Sequence, residues 1–369
     1  MTFRHAFEGA LLEILRTRDL VAVAVVSVLF YAFYYPAPYA HQVVERLPIA
    51  VVDADRSPLS RAIIRNLEAA HEVEIAAYAP DMLAARALVR SRQVEGILLI
   101  PHDVGASVAK GRPGAGIAVW LNGAYLLRAE AVGKTIATAI GATLEARAPG
   151  VATPGLTPVV TRPLFNTTQG YRDYIFPAVA NIILQQTLLF AAARFVAERR
   201  RTGRWQRGRG AVLGVWAACA TIGTLSAFFY FGLVYWLQGI PHGGNIPALL
   251  LTVPLFAATV AAAALMVGSL IRSGDDALKL LIPTSIPFVF LSGFAWPLVA
   301  MPGWVQAIAW TIPATPAMHI FIPLNQMGAS LGEVRGALAI LVVQLAVFGS
   351  VAGYRLTRRA RVRLAPVGP

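Results

Sequence analysis

The sequence predicts a polytopic α-helical membrane protein with six transmembrane helices and an α/β extracytoplasmic domain inserted between the first and second spans. Two long stretches, residues 210–271 and 280–332, contain no formally charged side chain. Charged residues make up 14% of the chain and apolar residues 57%, whereas about a quarter of the residues in water-soluble domains are charged. Long uncharged apolar stretches of this kind are typical of helices that lie in a bilayer.

Six apolar segments are long enough to cross the membrane, because about 20 residues span its ~30 Å hydrocarbon core as a helix. They are Leu20–Tyr35 (with its flanks, residues 20–40), Tyr174–Val196, Val212–Leu237, Ile246–Ile271, Leu280–Val299 and Gly336–Tyr354. The last five form a predicted transmembrane domain over residues 174–358. In the fifth segment, Pro283, Pro287 and Pro297 predict a kinked or partly broken helix, which membranes tolerate where it faces protein or a cavity.

Lysine and arginine are concentrated on one side of the predicted spans. The loop 198–211 holds six arginines and the tail 359–369 holds three more, whereas the loop 238–245 has neither lysine nor arginine. Positive charge marks the cytoplasmic side, so both termini are predicted to be cytoplasmic. The same asymmetry explains the net charge of +13, since residues 41–173 carry 14 basic and 12 acidic side chains. A nucleic-acid partner is therefore not indicated.

Residues 41–173 are then outside the membrane, and they are numerous enough for an independent domain. Predicted strands such as Ile49–Val52 alternate with predicted helices such as Pro58–Ala70, which favours a mixed or parallel sheet covered by helices. Asp53 and Asp55 invite a metal interpretation. A polar turn before a helix that is capped by Ser57 explains them better, because no further ligands cluster nearby.

The sequence contains no pattern of an enzyme site. Gly133-Lys134-Thr135 ends like a phosphate-binding loop, but Arg128 occupies the position where that motif needs glycine. The six histidines have no metal-ligand spacing, and no serine, cysteine or histidine constellation indicates a hydrolase. We therefore expect neither catalysis, nor a metal, nor a cofactor bound by this chain.

The order of parts is one amphipathic start, one span, a large external α/β domain and five further spans. In this order the chain resembles the permease subunit of type-2 (ABC-2) ABC exporters, in the drug-efflux branch with a large periplasmic domain. Several strings are similar to that family: Ile49–Ser60, Phe165-Asn166, Tyr174-Ile-Phe-Pro177, Leu291-Ser-Gly-Phe-Ala-Trp-Pro297, Met301-Pro302 and Pro313. The resemblance covers nearly the whole chain.

The resemblance implies an ATP-driven exporter in the bacterial inner membrane, moving drug-like, lipid-like or other amphipathic substrates out of the cytoplasm or inner leaflet. ATP and magnesium would bind a separate cytoplasmic ABC ATPase subunit, in keeping with the missing phosphate-binding motif. The permease would work as a dimer in membrane lipid. Whether the second permease is identical, and whether a periplasmic adaptor protein docks, stays open. A membrane-anchored receptor or sensor that uses the external domain is the alternative function.

Two cytoplasmic segments acquire roles from the resemblance. Residues 1–19 are similar to the family's elbow helix, with an apolar face formed by Phe3, Phe7, Leu11, Ile14 and Leu15 that suits an interfacial helix. Coupling to the ATPase is assigned to the loop 198–211, specifically to Glu198, Arg200, Thr202, Gly203 and Trp205. Arg200 stands where the family has a second acid, and Thr202-Gly203 reverses the usual dipeptide. A loop whose charge serves only topology remains the alternative.

Uncharged polar residues in the spans indicate the substrate pathway. Asn181, Gln185 and Gln186 need partners in lipid and should face the bundle or a cavity. With the fifth segment they define the predicted pathway residues: Asn181, Gln185, Gln186, Thr284, Ser285, Phe288 and Ser292. Helix–helix hydrogen bonding is the competing interpretation. Residues 300–335 are predicted to form a re-entrant or interfacial hairpin, with an outer gate at Phe294, Trp304 and Trp310.

Overall fold

The computed structural model describes residues 2–39, 46–110, 116–121, 126–147 and 170–358. The chain divides into two compact units. A helical unit comprises Met1–Ala40 and Pro163–Pro369, and an α/β unit comprises His41–Arg162. The predicted tail 359–369 and the string Phe165-Asn166 lie outside the described residues.

The helical unit begins with α1 (Phe3–Arg16), the predicted amphipathic helix, followed by the first candidate span, α2 (Arg18–Tyr39). α1 buries Ala6, Ala10 and Ile14, whereas Phe3 and Leu15 of the predicted apolar face are about half exposed. The face that packs on protein is therefore made mainly of alanines spaced four residues apart. Phe7 and Leu11 of the predicted face are partly buried against the same core, so only its outer side chains, Phe3 and Leu15, remain free for a membrane surface.

The α/β unit is built on a four-stranded mixed sheet of β1 (Leu47–Asp53), β2 (Val73–Tyr78), β3 (Gly96–Ile100) and β4 (Ala118–Leu121). The strand order is β2-β1-β3-β4, with β4 antiparallel and the other pairings parallel. The helices between and after the strands are α3 (Pro58–Glu68), α4 (Met82–Arg90), α5 (Val104–Ala109) and α6 (Leu126–Arg147). The alternating pattern thus correctly predicted a mixed sheet with helices.

The polar turn after β1 has a structural explanation. The Ser57 hydroxyl accepts hydrogen bonds from the backbone amides of Leu59 and Ser60, both at 3.1 Å, as an N-cap does. Asp53 accepts from the Ser60 hydroxyl at 2.8 Å, and Asp55 accepts from the Gly105 amide at 3.0 Å. Both carboxylates therefore cap backbone and side-chain donors, and no group of three metal-ligating side chains occurs among the described residues.

Four further helices of the helical unit are long and apolar enough to cross a membrane. They are α7 (Tyr171–Arg201), α8 (Arg209–Leu237), α9 (Ile246–Leu270) and α14 (Arg335–Thr357). With α2, the described residues contain five such helices, or up to six if one bent pair counts as a span. α7 starts at Tyr171, so residues 171–173, predicted to belong to the external domain, are part of this helix.

The predicted fifth span, Leu280–Val299, is not one continuous helix. The chain instead forms α10 (Gly274–Leu281), a 3-10 turn (Ile282–Thr284) and α11 (Ser285–Leu291). Pro283 lies in the turn and Pro287 near the start of α11, and proline has no amide hydrogen for the helical ladder. The proline pattern predicted a break, but the break leaves no piece of spanning length.

The outer region 300–335 contains a bent helix pair. α12 (Gly303–Ala309) and α13 (Ala314–Gln326) meet at 77°, the geometry of a broken span or a re-entrant loop. Pro313 directly precedes α13, where a missing amide hydrogen costs nothing.

α7 is the most enclosed helix of the unit, and small residues let its neighbours approach it. A Cβ atom at Gly268 of α9 would lie 2.7 Å from the Ala193 carbonyl oxygen on α7. Similarly, a Cβ at Gly214 of α8 would lie 2.6 Å from the Ala6 side chain on α1. Close approach at small residues is a main source of helix association in membranes. α9 therefore packs directly on α7, and α1 packs on α8.

Candidate functional site

The three predicted polar residues of α7 are buried within the protomer, with Asn181, Gln185 and Gln186 exposing 0%, 1% and 6% of their surface. The Asn181 amide nitrogen donates to the Pro177 carbonyl oxygen one turn earlier, at 2.8 Å. Its amide oxygen is one of the buried side-chain atoms without a hydrogen-bond partner in the described part of the chain. The Asn181 side-chain oxygen is thus a free hydrogen-bond acceptor, one turn from Pro177 inside α7.

Pro177 also explains a contact to the outer helix pair. Because proline lacks an amide hydrogen, Pro177 cannot donate to the carbonyl of Asp173, four residues earlier. The Gln326 side-chain nitrogen at the end of α13 donates to this carbonyl at 3.5 Å.

Gln185 and Gln186 link three elements through a chain of hydrogen bonds. The Gln185 amide oxygen accepts from the backbone amide of Ala314 at 2.7 Å, at the start of α13. The Gln185 side-chain nitrogen donates to the Gln186 oxygen at 3.4 Å, and the Gln186 nitrogen donates to the Ser285 hydroxyl at 2.9 Å. Thr284 accepts a longer bond from Gln186, at 3.5 Å. We call Gln185, Gln186, Thr284 and Ser285 the amide relay; it joins α13 to α7 and α11.

The structure brings together only part of the predicted pathway set. The contact to Ser285 is made by Gln186, not by the face that Gln185 shares with Asn181. Phe288 packs beside Ile182, Ile312 and Ala314 in a small apolar cluster. Ser292 is buried and donates to the Val289 carbonyl of its own segment at 2.7 Å. Asn181 and Ser292 therefore have local partners, outside the amide relay.

The predicted coupling loop begins with a firmly terminated helix. Glu198 forms a salt bridge with Arg201 on the same helix, the Arg201 Nε atom donating at 2.9 Å. The Thr202 hydroxyl donates to the Glu198 carbonyl at 2.9 Å, and Gly203 follows with φ +70°. A glycine in the left-handed conformation is the common end of an α-helix. Glu198, Thr202 and Gly203 thus terminate α7.

Arg200 and Trp205 connect this loop to the ends of two other helices. Arg200 donates to the carbonyls of Gly268 and Ile271, at 3.0 and 3.1 Å, which are unpaired acceptors at the end of α9. The Trp205 indole nitrogen donates to the Leu356 carbonyl at 3.1 Å, at the end of α14. The arginine that replaces the family's second acid therefore has a structural partner here.

An ionic contact that the sequence analysis did not predict ties α1 to the same loop. Glu13 accepts from Arg199 Nε at 3.1 Å and from Arg204 Nη2 at 2.8 Å. Asp19, at the start of α2, pairs with Arg194 of α7 at 2.9 Å. An acid on the polar face of α1, with an arginine-rich loop on the same predicted side of the membrane, was the signal in the sequence for this contact.

The three predicted gate aromatics have different neighbours. The Phe294 carbonyl accepts from the Tyr174 hydroxyl at 2.7 Å, at the start of α7. Trp304 is 70% exposed. The Trp310 carbonyl accepts from the Gln344 side chain of α14 at 2.7 Å. They are distributed over the outer region and form no mutual ring contact among the described residues.

Asn325, at the end of α13, was also missed as a positioning residue. It is 2% exposed, and its side-chain oxygen accepts from the Gly243 amide at 2.7 Å while its carbonyl accepts from the Gly244 amide at 2.8 Å. These bonds hold the short loop between α8 and α9 against the bent pair. The signal was a strongly polar residue within an uncharged stretch.

These features define a helical membrane protein that crosses the bilayer several times around one enclosed, polar-lined helix. The family described as ABC-2 family transporter protein matches residues 19–354. The chain therefore belongs to the ABC-2 family of transporters, as its resemblance indicated, and is a membrane subunit of an ABC transporter.

Two curated relatives are similar to most or much of this chain. The linearmycin resistance permease protein LnrN of Bacillus subtilis is 25% identical over 339 residues, covering 82% of this chain and 86% of that protein. The probable multidrug ABC transporter permease YbhR of Escherichia coli K12 is 24% identical over 217 residues, covering 57% of this chain and 59% of that protein.

Proposed function

We propose that this chain is the transmembrane subunit of an ATP-driven exporter for drug-like, lipid-like or other amphipathic substrates, with ATP and magnesium bound by a separate cytoplasmic ATPase. Membership of the ABC-2 family supports the transporter class. Its relatives are named for linearmycin resistance and for multidrug transport, which supports an amphipathic drug-like substrate.

The amide relay is the observation that carries the pathway proposal. It joins the enclosed helix α7 to two interrupted elements, the segment around α11 and the bent pair α12–α13. A buried amide that loses its hydrogen-bond partner is costly. A movement of α7, α11 or α13 is therefore expected to be accompanied by a movement of the other two. We assign the substrate pathway to the surface beside this relay, with Asn181, Gln185, Gln186, Thr284, Ser285, Phe288 and Ser292 as its residues.

The free side of the interrupted segment supports a pathway between two protomers. Ile286, Phe290 and Trp296 are each more than half exposed in the isolated chain. In a dimer, a second permease opposite this surface would enclose an apolar and aromatic passage next to hydroxyl and amide groups. Such a lining suits a bulky amphipathic molecule. Phe294, Trp304 and Trp310 are assigned to its outer gate, and a periplasmic adaptor is a further partner of the external domain.

The loop from Glu198 to Trp205 is assigned to coupling with the ATPase. Its support is mechanical, because Arg200 and Trp205 connect the end of α7 to the ends of α9 and α14. A push on this loop would therefore reach three spanning helices together. The proposed location is the bacterial inner membrane with both termini cytoplasmic, on the basis of the lysine and arginine distribution.

Transport by the chain expressed with its cognate ATPase tests the pathway. Gln186→Leu removes the bond to Ser285, which contributes about 1 kcal/mol to holding α11 against α7, so we expect the relative preference among substrates to change. Gln238→Leu is the matched control, because Gln238 donates to the Ala32 carbonyl at 2.8 Å, away from the relay. If both variants transport the same range of substrates, the amide relay is not part of the substrate pathway.

Coupling and orientation have separate tests. Trp205→Ala and Gly203→Pro should abolish transport while membrane insertion persists, and retained transport would leave the loop a topological role only.

Cysteine introduced at Gly243 should react with an impermeant reagent from outside, whereas cysteine at Gly203 should not. Reversed labelling would contradict the orientation, and failure of the ATPase to copurify with the wild-type chain would contradict the partner.

A further inference from the structure

Four arginines converge on one cavity where α7, α9 and α14 end. The cavity has a volume of about 410 Å³ and is lined by Arg200, Arg207, Arg355 and Arg358, together with Trp205 and Tyr354. We call it the arginine pocket. No aspartate or glutamate lines it among the described residues.

The neighbouring arginines of the same loop differ from these four. Arg199 and Arg204 pair with Glu13, and Arg201 pairs with Glu198. None of the four pocket arginines forms a salt bridge in the described part of the chain. Like charges that share a cavity repel one another, and an anion between them removes that repulsion. The distribution of acids therefore leaves a site for a negative ligand.

Several of these groups are held in place before any ligand binds. Arg200 donates to the Gly268 and Ile271 carbonyls, and Arg355 donates to the Ser269 carbonyl at 3.3 Å. The Arg358 guanidinium stacks on the Tyr354 ring, 3.8 Å from its centroid. A guanidinium whose position is fixed loses little entropy on binding, and its planar fork matches phosphate oxygens.

An exposed apolar track leads along α14 to the pocket. Val343, Val347 and Val351 follow one another at four-residue spacing and are 60%, 51% and 37% exposed. Tyr354 continues the same face, is 57% exposed and lines the pocket. An acyl chain lying on this track would place its headgroup phosphate among the arginines. Basic pockets between helix ends on the cytoplasmic side are a known means of binding anionic headgroups.

We propose that the arginine pocket binds the phosphate group of an anionic phospholipid, with an acyl chain along the exposed face of α14. The ligand chemistry is a phosphate in contact with several guanidinium groups, and the apolar track selects the lipid over free phosphate. The bound headgroup would link the ends of α7, α9 and α14. Binding requires only the membrane-embedded chain and does not depend on transport.

Binding of phosphatidylglycerol to the purified full-length chain in detergent, measured by native mass spectrometry against phosphatidylcholine, tests the proposal. The double variant Arg207→Gln with Arg358→Gln should weaken phosphatidylglycerol binding roughly tenfold or more, since each arginine near a headgroup contributes about fivefold. The control, Arg201→Gln with Arg204→Gln, removes the same number of charges, both from the loop that contains Arg207. It should change binding by about twofold or less, because both of its arginines already have acid partners.

Three outcomes would overturn the proposal. Equal weakening by the two double variants would indicate a diffuse basic surface. Displacement of the lipid by inorganic phosphate at a comparable concentration would assign the pocket to a soluble anion. Unchanged lipid binding, with loss of ATPase copurification in the first double variant only, would assign the arginines to the partner protein. Size-exclusion profiles matching the wild type establish that both variants are folded.

Discussion

Helices α7 and α14 have similar apolar character and opposite surroundings. Their most apolar windows have mean hydropathies of 1.6 and 2.1, and both are long enough to span a membrane. Nearly all of the α7 window is buried inside the chain, whereas only 17% of the α14 window is buried. Hydropathy alone therefore identifies a span but does not show whether it faces protein or lipid. The distribution of amides and close-packed neighbours makes that distinction.

The largest expected effect comes from breaking the close packing around α7. Gly268→Ala places a methyl group 2.7 Å from the Ala193 carbonyl oxygen and 2.8 Å from the Val196 side chain, so α9 must move away from α7. We expect the free energy of unfolding to fall by about 3 kcal/mol, as for an overpacked core. Denaturation by SDS in mixed micelles measures it.

The matched control for this substitution is on α14. A Cβ atom at Gly349 meets nothing within 4 Å, so Gly349→Ala should leave stability unchanged or raise it slightly through helix propensity. Equal destabilisation by the two substitutions would mean that α14 is packed as tightly as α7. The contrast between the helices would then disappear.

Composition and charge predicted most of the helical fold. Five of the predicted spans, those from Leu20, Tyr174, Val212, Ile246 and Gly336, coincide with candidate spanning helices whose ends differ by a few residues. The prediction of a continuous fifth span was wrong, because an apolar run indicates a lipid or protein-interior environment but does not show that the helix is unbroken. Pro283 and Pro287 interrupt the backbone ladder even though every side chain around them suits lipid.

A smaller effect should come from removing one bond of the amide relay. Gln185→Leu leaves the backbone amide of Ala314 buried without its acceptor, which typically costs about 2 kcal/mol. Gln344→Leu on α14 is the control. It releases only the Trp310 carbonyl and removes a buried oxygen that has no partner among the described residues. We therefore expect a smaller loss of stability, and a larger one would show that the buried amide of α14 contributes more than that of α7.

The polar residues of the site were predictable, but their partners were not. Asn181, Gln185 and Gln186 stand out in an apolar segment, and all three are buried. Which of them contacts Ser285 depends on the rotation of α11 about its axis. The 3-10 turn Ile282–Thr284, which precedes α11, sets that rotation. Similarly, the periodicity of α1 identified the large apolar side chains, whereas the closest approach to α8 is made by Ala6 beside Gly214. Close helix packing needs small side chains, whereas an apolar pattern is identified from the large ones.

The smallest effect concerns the ends of the two helices. Arg199 and Arg201 at the end of α7 pair with acids, whereas Arg355 and Arg358 at the end of α14 form no salt bridge within the described part of the chain. Glu13→Gln removes a carboxylate that binds Arg199 and Arg204, while the amide keeps its shape. Since these side chains are partly exposed, we expect a loss of about 1 kcal/mol at low salt. The loss should shrink in 1 M NaCl, where the Debye length is about 3 Å.

Glu8→Gln is the control. Hydrogen bonding to Arg4 lowers the pKa of Glu8, but this pair is fully exposed. Its removal should therefore leave the melting temperature unchanged. If Glu13→Gln behaves like Glu8→Gln at low salt, α1 is held by its alanine face on α8 alone, and the ionic contact does not distinguish the end of α7 from that of α14.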